Sequence, residues 1–132
     1  MITDKAKQKV ALFLKEMFQE ANYGIGGNAT FPNANDLDVP VLETKIDTSN
    51  TVSDDTTIDF SVSFSGASTN GNTIRELGIF SSTMPQDNQF DELRTTTSYS
   101  AESVMLSRIN FDALGPFTAN DTIDFTLTMV VE

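Results

Sequence analysis

Residues 58–64 of the chain read IDFSVSF, so that apolar and polar side chains alternate without interruption. Successive side chains of a β-strand point to opposite faces, and this alternation predicts a strand with one buried and one solvated face. Residues 123–129, IDFTLTM, repeat the pattern near the end of the chain. The likeness extends upstream to Asp55 and Asp121, but shared strand chemistry explains it better than an internal repeat, because one copy is too short to set a period.

Three further segments are bounded by clusters of Gly, Pro, Asn or Asp, and they predict strands at Val39–Ile46, Thr73–Phe80 and Val104–Phe111. The Asn70-Gly71 pair just before the second of these segments is a strong turn signal. We therefore expect the strand that ends at Phe64 and the strand that opens after this turn to be antiparallel neighbours.

An amphipathic helix is predicted over residues 4–21, because apolar residues recur there at intervals of three and four. Thr3 or Asp4 caps its start, and the sequence Asn22-Tyr23-Gly24 is typical of a helix end. We expect the apolar stripe to pack on the sheet, the alternative being a helix that binds a partner or a neighbouring copy. The stripe consists of Val10, Phe13, Leu14, Met17, Phe18 and Ala21.

Two long connections lack periodicity. Residues 22–38 contain the glycine-rich run 24–28, which is not a nucleotide loop, since no Lys-Ser/Thr pair follows it and no strand is predicted before it. The segment 33–38 offers four side chains with oxygen ligands for calcium, but it lacks the spacing of an EF-hand, so a solvated loop is the favoured interpretation and calcium stays open. Residues 81–100 predict a surface excursion, with room for a short strand at 94–99.

These elements predict one domain over residues 1–132, with the helix at about 4–21, a loop at 22–38 and a β-rich part at 39–132. The expected fold class is α+β and mainly β. An N-terminal amphipathic helix is followed by an antiparallel β-sandwich-like domain of about five to seven strands.

The charge and the missing residue types limit the function. Eight Lys and Arg against nineteen Asp and Glu give a net charge of −11, which disfavours nucleic acid or an anionic membrane as a partner, and which suits either plain solubility or a salty habitat. Residues 1–15 carry four lysines and no long apolar run, so neither a signal peptide nor a membrane span is expected.

The chain has no His and no Cys, so the commonest general base, the thiol nucleophile and the commonest transition-metal ligands are missing. We expect a protein that is not an enzyme and uses no cofactor or metal.

One charged pair interrupts an apolar strand, at Arg75-Glu76 within 73–80. Under strict alternation Arg75 shares its face with Leu77 and Ile79, so we expect Arg75 to be the buried or interfacial member. Its guanidinium then needs a carboxylate other than Glu76, or backbone carbonyls. The alternative is an ordinary exposed ion pair on an edge strand.

The order of these features resembles a family of tailed-virus structural proteins. The resemblance rests on the leading helix, the loop with PNANDL at 32–37, the strand TIRELGIF at 73–80, MLSR at 105–108 and the closing alternating strand. The family comprises short virion proteins and fibre-leading modules of the tail collar, tail fibre or baseplate.

The resemblance implies a tail, baseplate or fibre-attachment component that is located in the virion and acts by assembly. Its expected partners are other virion structural proteins and further copies of itself, with no nucleic acid and no membrane. A capsid decoration or turret protein is one alternative, and a glycan-binding adhesion module, which would use exposed aromatic residues, is another. The structural and interface candidates are Arg75, Glu76, Gly78, Phe80, Arg108, Leu14 and Phe18.

Overall fold

Two antiparallel sheets and one helix make up the fold. The computed structural model describes residues 1–27, 33, 35–81 and 103–132. The elements are α1 Asp4–Met17, β1 Glu20–Gly24, β2 Ile46–Asp47, β3 Ser49–Ser53, β4 Thr57–Ser65, β5 Ile74–Phe80, β6 Met105–Leu114 and β7 Thr122–Val130. The first sheet has the strand order β2-β1-β5-β6 and the second has the order β3-β4-β7. The predicted class, mainly β with a leading helix and a sandwich-like pair of sheets, is confirmed.

The core lies between the two sheets, and the alternating strands supply much of it. Along β4 the four apolar side chains are buried, while their neighbours are partly or fully exposed. All nine residues of β4 pair in unbroken register with β7, so both predicted alternating strands are confirmed. Tyr23 of β1 meets Phe64 of β4 edge to face, with 4.6 Å between ring centroids. Each fully buried aromatic side chain contributes roughly 1.5–3 kcal/mol of hydrophobic stabilisation, so this layer holds the sheets together.

The helix is shorter than predicted, and the segment after it is a strand. Thr3 caps α1 by accepting a hydrogen bond from the Ala6 N–H, as expected, but α1 ends at Met17. Residues 20–24 form β1 between β2 and β5, where the backbone groups of β1 find partners on both sides. Pairing within the sheet outweighs the helical pattern, so the prediction of a helix end at Asn22-Tyr23-Gly24 is wrong.

Two strand predictions also fail. The segment Val39–Ile46 is largely irregular, with a single bridge from Pro40 to Gly24, and only its last residue enters β2. The strands on either side of Asn70-Gly71 are not neighbours, because β4 belongs to the second sheet and β5 to the first. A 3-10 turn at Gly66–Thr69, followed by two residues with positive φ, carries the chain across the sandwich. The excursion at 81–100 and its strand at 94–99 lie, apart from Ser81, outside the described residues.

One face of α1 packs on the core. Ala11 is fully buried, and Leu14 and Phe18 contact the buried cluster, so the packing prediction is confirmed for these two candidates. Val10, which belongs to the predicted stripe, is 43% exposed, because the contacting face runs through Ala11 instead. Within the described residues, no helix has the length and apolarity needed to cross a bilayer.

Replacing Leu14 by aspartate should destabilise the protein by about 2 kcal/mol or more, because the carboxylate would lie against the apolar core. Leu12→Asp is the matched control, since Leu12 is 48% exposed on the same helix and carries the same propensity penalty. We expect it to cost less than about 1 kcal/mol. Urea unfolding of both variants measures the difference, and equal costs would contradict the assigned packing face.

Candidate functional site

The motif strand β5 carries a buried charge on the face that points away from the core. Its side chains Ile74, Leu77 and Ile79 belong to the core cluster between the sheets. Glu76 is 0% exposed, yet its side chain lies on the opposite face of the strand, covered by the backbone that follows β1. Two ends of this covering backbone are joined by a hydrogen bond from the Ile25 N–H to the Val39 carbonyl. The strand therefore has two buried faces. One lies against the second sheet, and the other lies against the described residues 25–27, 33 and 35–39, which we call the loop.

Three backbone amides hold the Glu76 carboxylate. The N–H groups of Gly26 and Val39 donate to Oε2 at 3.1 and 2.9 Å, and the Asp38 N–H donates to Oε1 at 2.9 Å. A buried carboxylate without partners is heavily penalised, while hydrogen bonds to a charged acceptor are among the stronger ones in proteins. Both oxygens are thus engaged, and the same bonds satisfy loop amides that would otherwise lack partners.

The glycines beside this carboxylate make room for it. A Cβ at Gly24 would lie 2.3 Å from Glu76 Oε2, and one at Gly26 would lie 2.9 Å from it. On β5 itself, a Cβ at Gly78 would lie 3.0 Å from Leu37, which is 1% exposed and packs there. The glycine-rich run, which is not a nucleotide loop by its motif, does receive an anion, and that anion is a carboxylate of the same chain.

Arg108 of β6 fastens the same loop from the neighbouring strand. It lies opposite Gly78 in the register of β5 and β6. Its Nη1 donates to the carbonyl oxygens of Asn33 and Asp36 at 2.7 and 3.0 Å, and it forms a salt bridge with Asp38 Oδ1 at 3.2 Å. The side chains of Arg108 and Asp38 are 16% and 6% exposed. An ion pair this shielded is screened less by solvent than a surface pair, so it fixes the loop more firmly.

Asp38 links the two anchors. Its Oδ1 also accepts a hydrogen bond from the Asn33 N–H at 2.7 Å, and its Oδ2 accepts one from the Gly27 N–H at 3.2 Å. We call the side chains of Glu76, Asp38 and Arg108, with the backbone that they hold, the clasp. It positions the loop on the outer face of the first sheet with two carboxylates and one guanidinium.

The expectation that Arg75 is the buried member of the charged pair is wrong for this chain on its own, because Arg75 is partly exposed and Glu76 is buried. From Glu76 onward the alternation holds, with Leu77 and Ile79 in the core cluster and Glu76 on the opposite face. Glu76 is nevertheless buried, because the loop covers that face. The alternation breaks at Ile74, which also reaches the core, next to a register shift between β5 and β6.

The remaining sequence candidates divide into two groups. Gly78, Phe80 and Arg108 join Glu76 on the outer side of the first sheet, where Lys45 Nζ lies 4.8 Å from the centre of the Phe80 ring. Leu14 on α1 and Phe18 at its C-terminal end lie elsewhere and pack against the core. Sequence reasoning missed Asp38 as an anchor, although a glutamate inside an apolar strand signals a need for nearby amide donors.

Of the four side chains considered as calcium ligands, those of Asn33, Asp36 and Asp38 bind other groups of the chain. Asp36 Oδ1 accepts from the Leu37 N–H, Asn33 Oδ1 accepts from the Asn35 N–H, and Asp38 belongs to the clasp. Over the described parts of the chain, no group of three or more candidate ligands is placed to hold a metal ion.

A glycan-binding face would draw on exposed aromatic rings. Tyr23 is fully buried, and its hydroxyl contacts the Ser68 hydroxyl, so it is not available for stacking on a sugar. The other tyrosine, Tyr99, lies outside the described residues.

Comparisons of the chain with protein-family models, with curated proteins and with solved structures find no match. Function must therefore be inferred from the residues and their geometry.

Glu76→Gln should destabilise the protein by about 2–4 kcal/mol, because the amide would place an NH₂ group against backbone N–H donors and leave a buried polar group unsatisfied. Arg75→Gln is the matched control on the adjacent, partly exposed residue, and we expect it to cost at most about 1 kcal/mol.

Urea unfolding of the two variants separates these expectations. A larger loss for Arg75→Gln than for Glu76→Gln would restore the arginine as the buried charge of this strand and would contradict the clasp.

Proposed function

We propose that the chain is a structural protein of a tailed virus, a tail, baseplate or fibre-attachment component that acts by assembling with other virion proteins and not by catalysis. The observation that carries the proposal is the clasp. Three residues of the motifs that carry the resemblance lie at this loop: Glu76 and Arg108 bind it, and Gly78 leaves space for it. A motif whose distinctive residues shape a surface suits a protein that works by contact.

A loop held in this way favours assembly. Ordering free residues at an interface costs conformational entropy, and the described loop residues 25–27, 33 and 35–39, which the clasp already holds, avoid that cost when the partner binds. The loop presents exposed side chains at Asn33, Asn35 and Val39, the last of them 45% exposed. Connecting segments on a rigid sheet commonly carry the recognition surface of a domain.

The net charge of −11 limits which surfaces and partners the chain can assemble with. Copies of so acidic a chain repel one another at distances up to about the Debye length. Assembly should therefore use surfaces low in charge, or partners with basic patches. The exposed loop residues Asn33 and Asn35 carry neutral amides, which suit either kind of contact.

The proposal predicts that purified virus particles contain the chain in many copies, and that antibodies against it label the tail end. Mass spectrometry of gradient-purified particles and immunogold electron microscopy provide the two measurements. Label over the head would favour the decoration or turret alternative, and absence of the chain from particles would overturn the virion role.

Val39→Gln should reduce incorporation of the chain into particles while leaving its stability nearly unchanged, because the Val39 side chain is exposed, only its backbone enters the clasp, and glutamine adds no charge beside the clasp carboxylates. Leu12→Gln, which makes the same change on the exposed side of α1, should be incorporated normally. Equal incorporation of both variants would exclude the clasped loop as the contact surface.

A further inference from the structure

The strands β4 and β7 are close to being the same peptide. They read TIDFSVSFS at 57–65 and TIDFTLTMV at 122–130, with the first four residues identical. They pair antiparallel, and the central residue of one, Ser61, lies opposite the central residue of the other, Thr126. The second sheet therefore already contains this nonapeptide paired with a near-copy of itself.

The cross-strand contacts explain why the nonapeptide is self-complementary. Its aspartate stands third and a hydroxyl residue stands seventh, so antiparallel pairing about the centre brings each aspartate opposite a hydroxyl. Thr128 Oγ1 donates to Asp59 Oδ1 at 2.6 Å, and Ser63 Oγ donates to Asp124 Oδ1 at 2.5 Å. At the centre, the hydroxyls of Ser61 and Thr126 are 3.2 Å apart. No two like charges face each other in this register.

The far edge of β7 has no partner strand within the described residues. Alternate residues of such an edge strand direct their backbone N–H and C=O groups outward, where they can pair with another strand. Natural edge strands are usually protected by lysine, proline, a bulge or short length. Within its nine residues β7 has no Lys, Arg or Pro, and its register with β4 contains no shift.

The other edge strands are protected. The β6 strand pairs with β5 through two register shifts and carries Arg108, while β2 has only two residues. The β3 strand has five residues and runs directly into Asp54 and Asp55. Among the edges of the two sheets, β7 is the long and regular one.

We propose that β7 pairs with β7 of a second copy of this chain, antiparallel about Thr126, to form a six-stranded sheet with the order β3-β4-β7-β7-β4-β3. The pairing repeats the register seen between β4 and β7, so that Asp124 of each copy faces Thr128 of the other. On the inner side, Phe125 faces Leu127 of the second copy. The contact is isologous and closes with two chains, because the same strand serves both.

A second copy fits this edge better than an unrelated strand. Phe125, Leu127 and Met129 are only partly buried in one chain, and a second copy would cover them with the same apolar residues. Within its nine residues β7 carries one charge, Asp124, which lies opposite Thr128 of the second copy and not opposite another carboxylate. Because each copy carries a charge of −11, the dimer should become tighter as salt screens the remaining repulsion. This second copy is a partner for the proposed function. The dimer depends on that function only in assuming that the chain acts by assembly.

A cysteine at position 126 tests the register directly, since the chain contains no cysteine of its own. Directly opposed residues of an antiparallel pair have Cα atoms about 4.5–5.5 Å apart, within the range that a disulfide spans. Thr126→Cys should therefore give a disulfide-linked dimer on mild oxidation in near-quantitative yield. Ser49→Cys is the control, because Ser49 lies on the opposite edge strand β3 and faces the same Ser61. Equal cross-linking of both variants, or none at position 126, would overturn the proposal.

Sedimentation equilibrium of the parent chain should give twice the 14.4 kDa chain mass, with tighter association at high salt. Thr126→Asp should weaken the dimer roughly tenfold or more, because two added carboxylates would meet at the symmetry axis. Ser49→Asp should leave association unchanged, and thermal melts would verify that both variants fold. A parent chain that is monomeric at all concentrations would overturn this inference even if particles contain the protein. A dimer absent from particles would overturn the virion role and leave the inference intact.

Discussion

The structure depends on a buried carboxylate. Glu76 lies within β5, the strand that pairs with β1 on one side and with β6 on the other, and its side chain is fully buried. An ion in such a place must be surrounded by donors, since removing one partner of a buried charge costs several kcal/mol out of a total stability of about 5–15 kcal/mol. The backbone N–H groups of residues 26, 38 and 39 supply those donors. These residues must therefore lie within hydrogen-bond distance of Glu76 on the outer face of the first sheet.

Several other residues follow from this requirement. Gly24 and Gly26 leave space for the carboxylate, Gly78 leaves space for Leu37, and Arg108 with Asp38 fixes the loop farther out. The three hydrogen bonds to Glu76 largely offset the cost of burying its charge, so the net gain in stability is small. Their main effect is to fix where the backbone at Gly26, Asp38 and Val39 lies on the sheet. A fixed surface of this kind is useful to a protein that assembles, and it lies on a different sheet from β7, so both surfaces are available in one chain.

The sequence predicted the parts of the fold that depend on local pattern. The alternation at 58–64 and 123–129 can be satisfied only by strands with one buried face, and Thr3 is a sound helix cap. The helix end was misplaced because β1 gains partners from β2 and β5, which no local pattern indicates. The clasp was not predictable for the same reason. Its donors at Gly26 and Val39 lie fifty and thirty-seven residues from Glu76. The face of β5 that carries Glu76 is buried by this distant backbone, which the alternation within the strand does not indicate.

Native-state hydrogen exchange of the parent protein tests the clasp most directly. The amide protons of Gly26, Asp38 and Val39 lie in an irregular segment, yet each donates to the buried carboxylate. If the clasp is as described, these three protons exchange only when the whole domain unfolds, with the same free energy of opening as the amides of β5. Exchange of the three at the rate of exposed loop amides, while β5 stays protected, would mean that the loop opens independently and that Glu76 does not hold it.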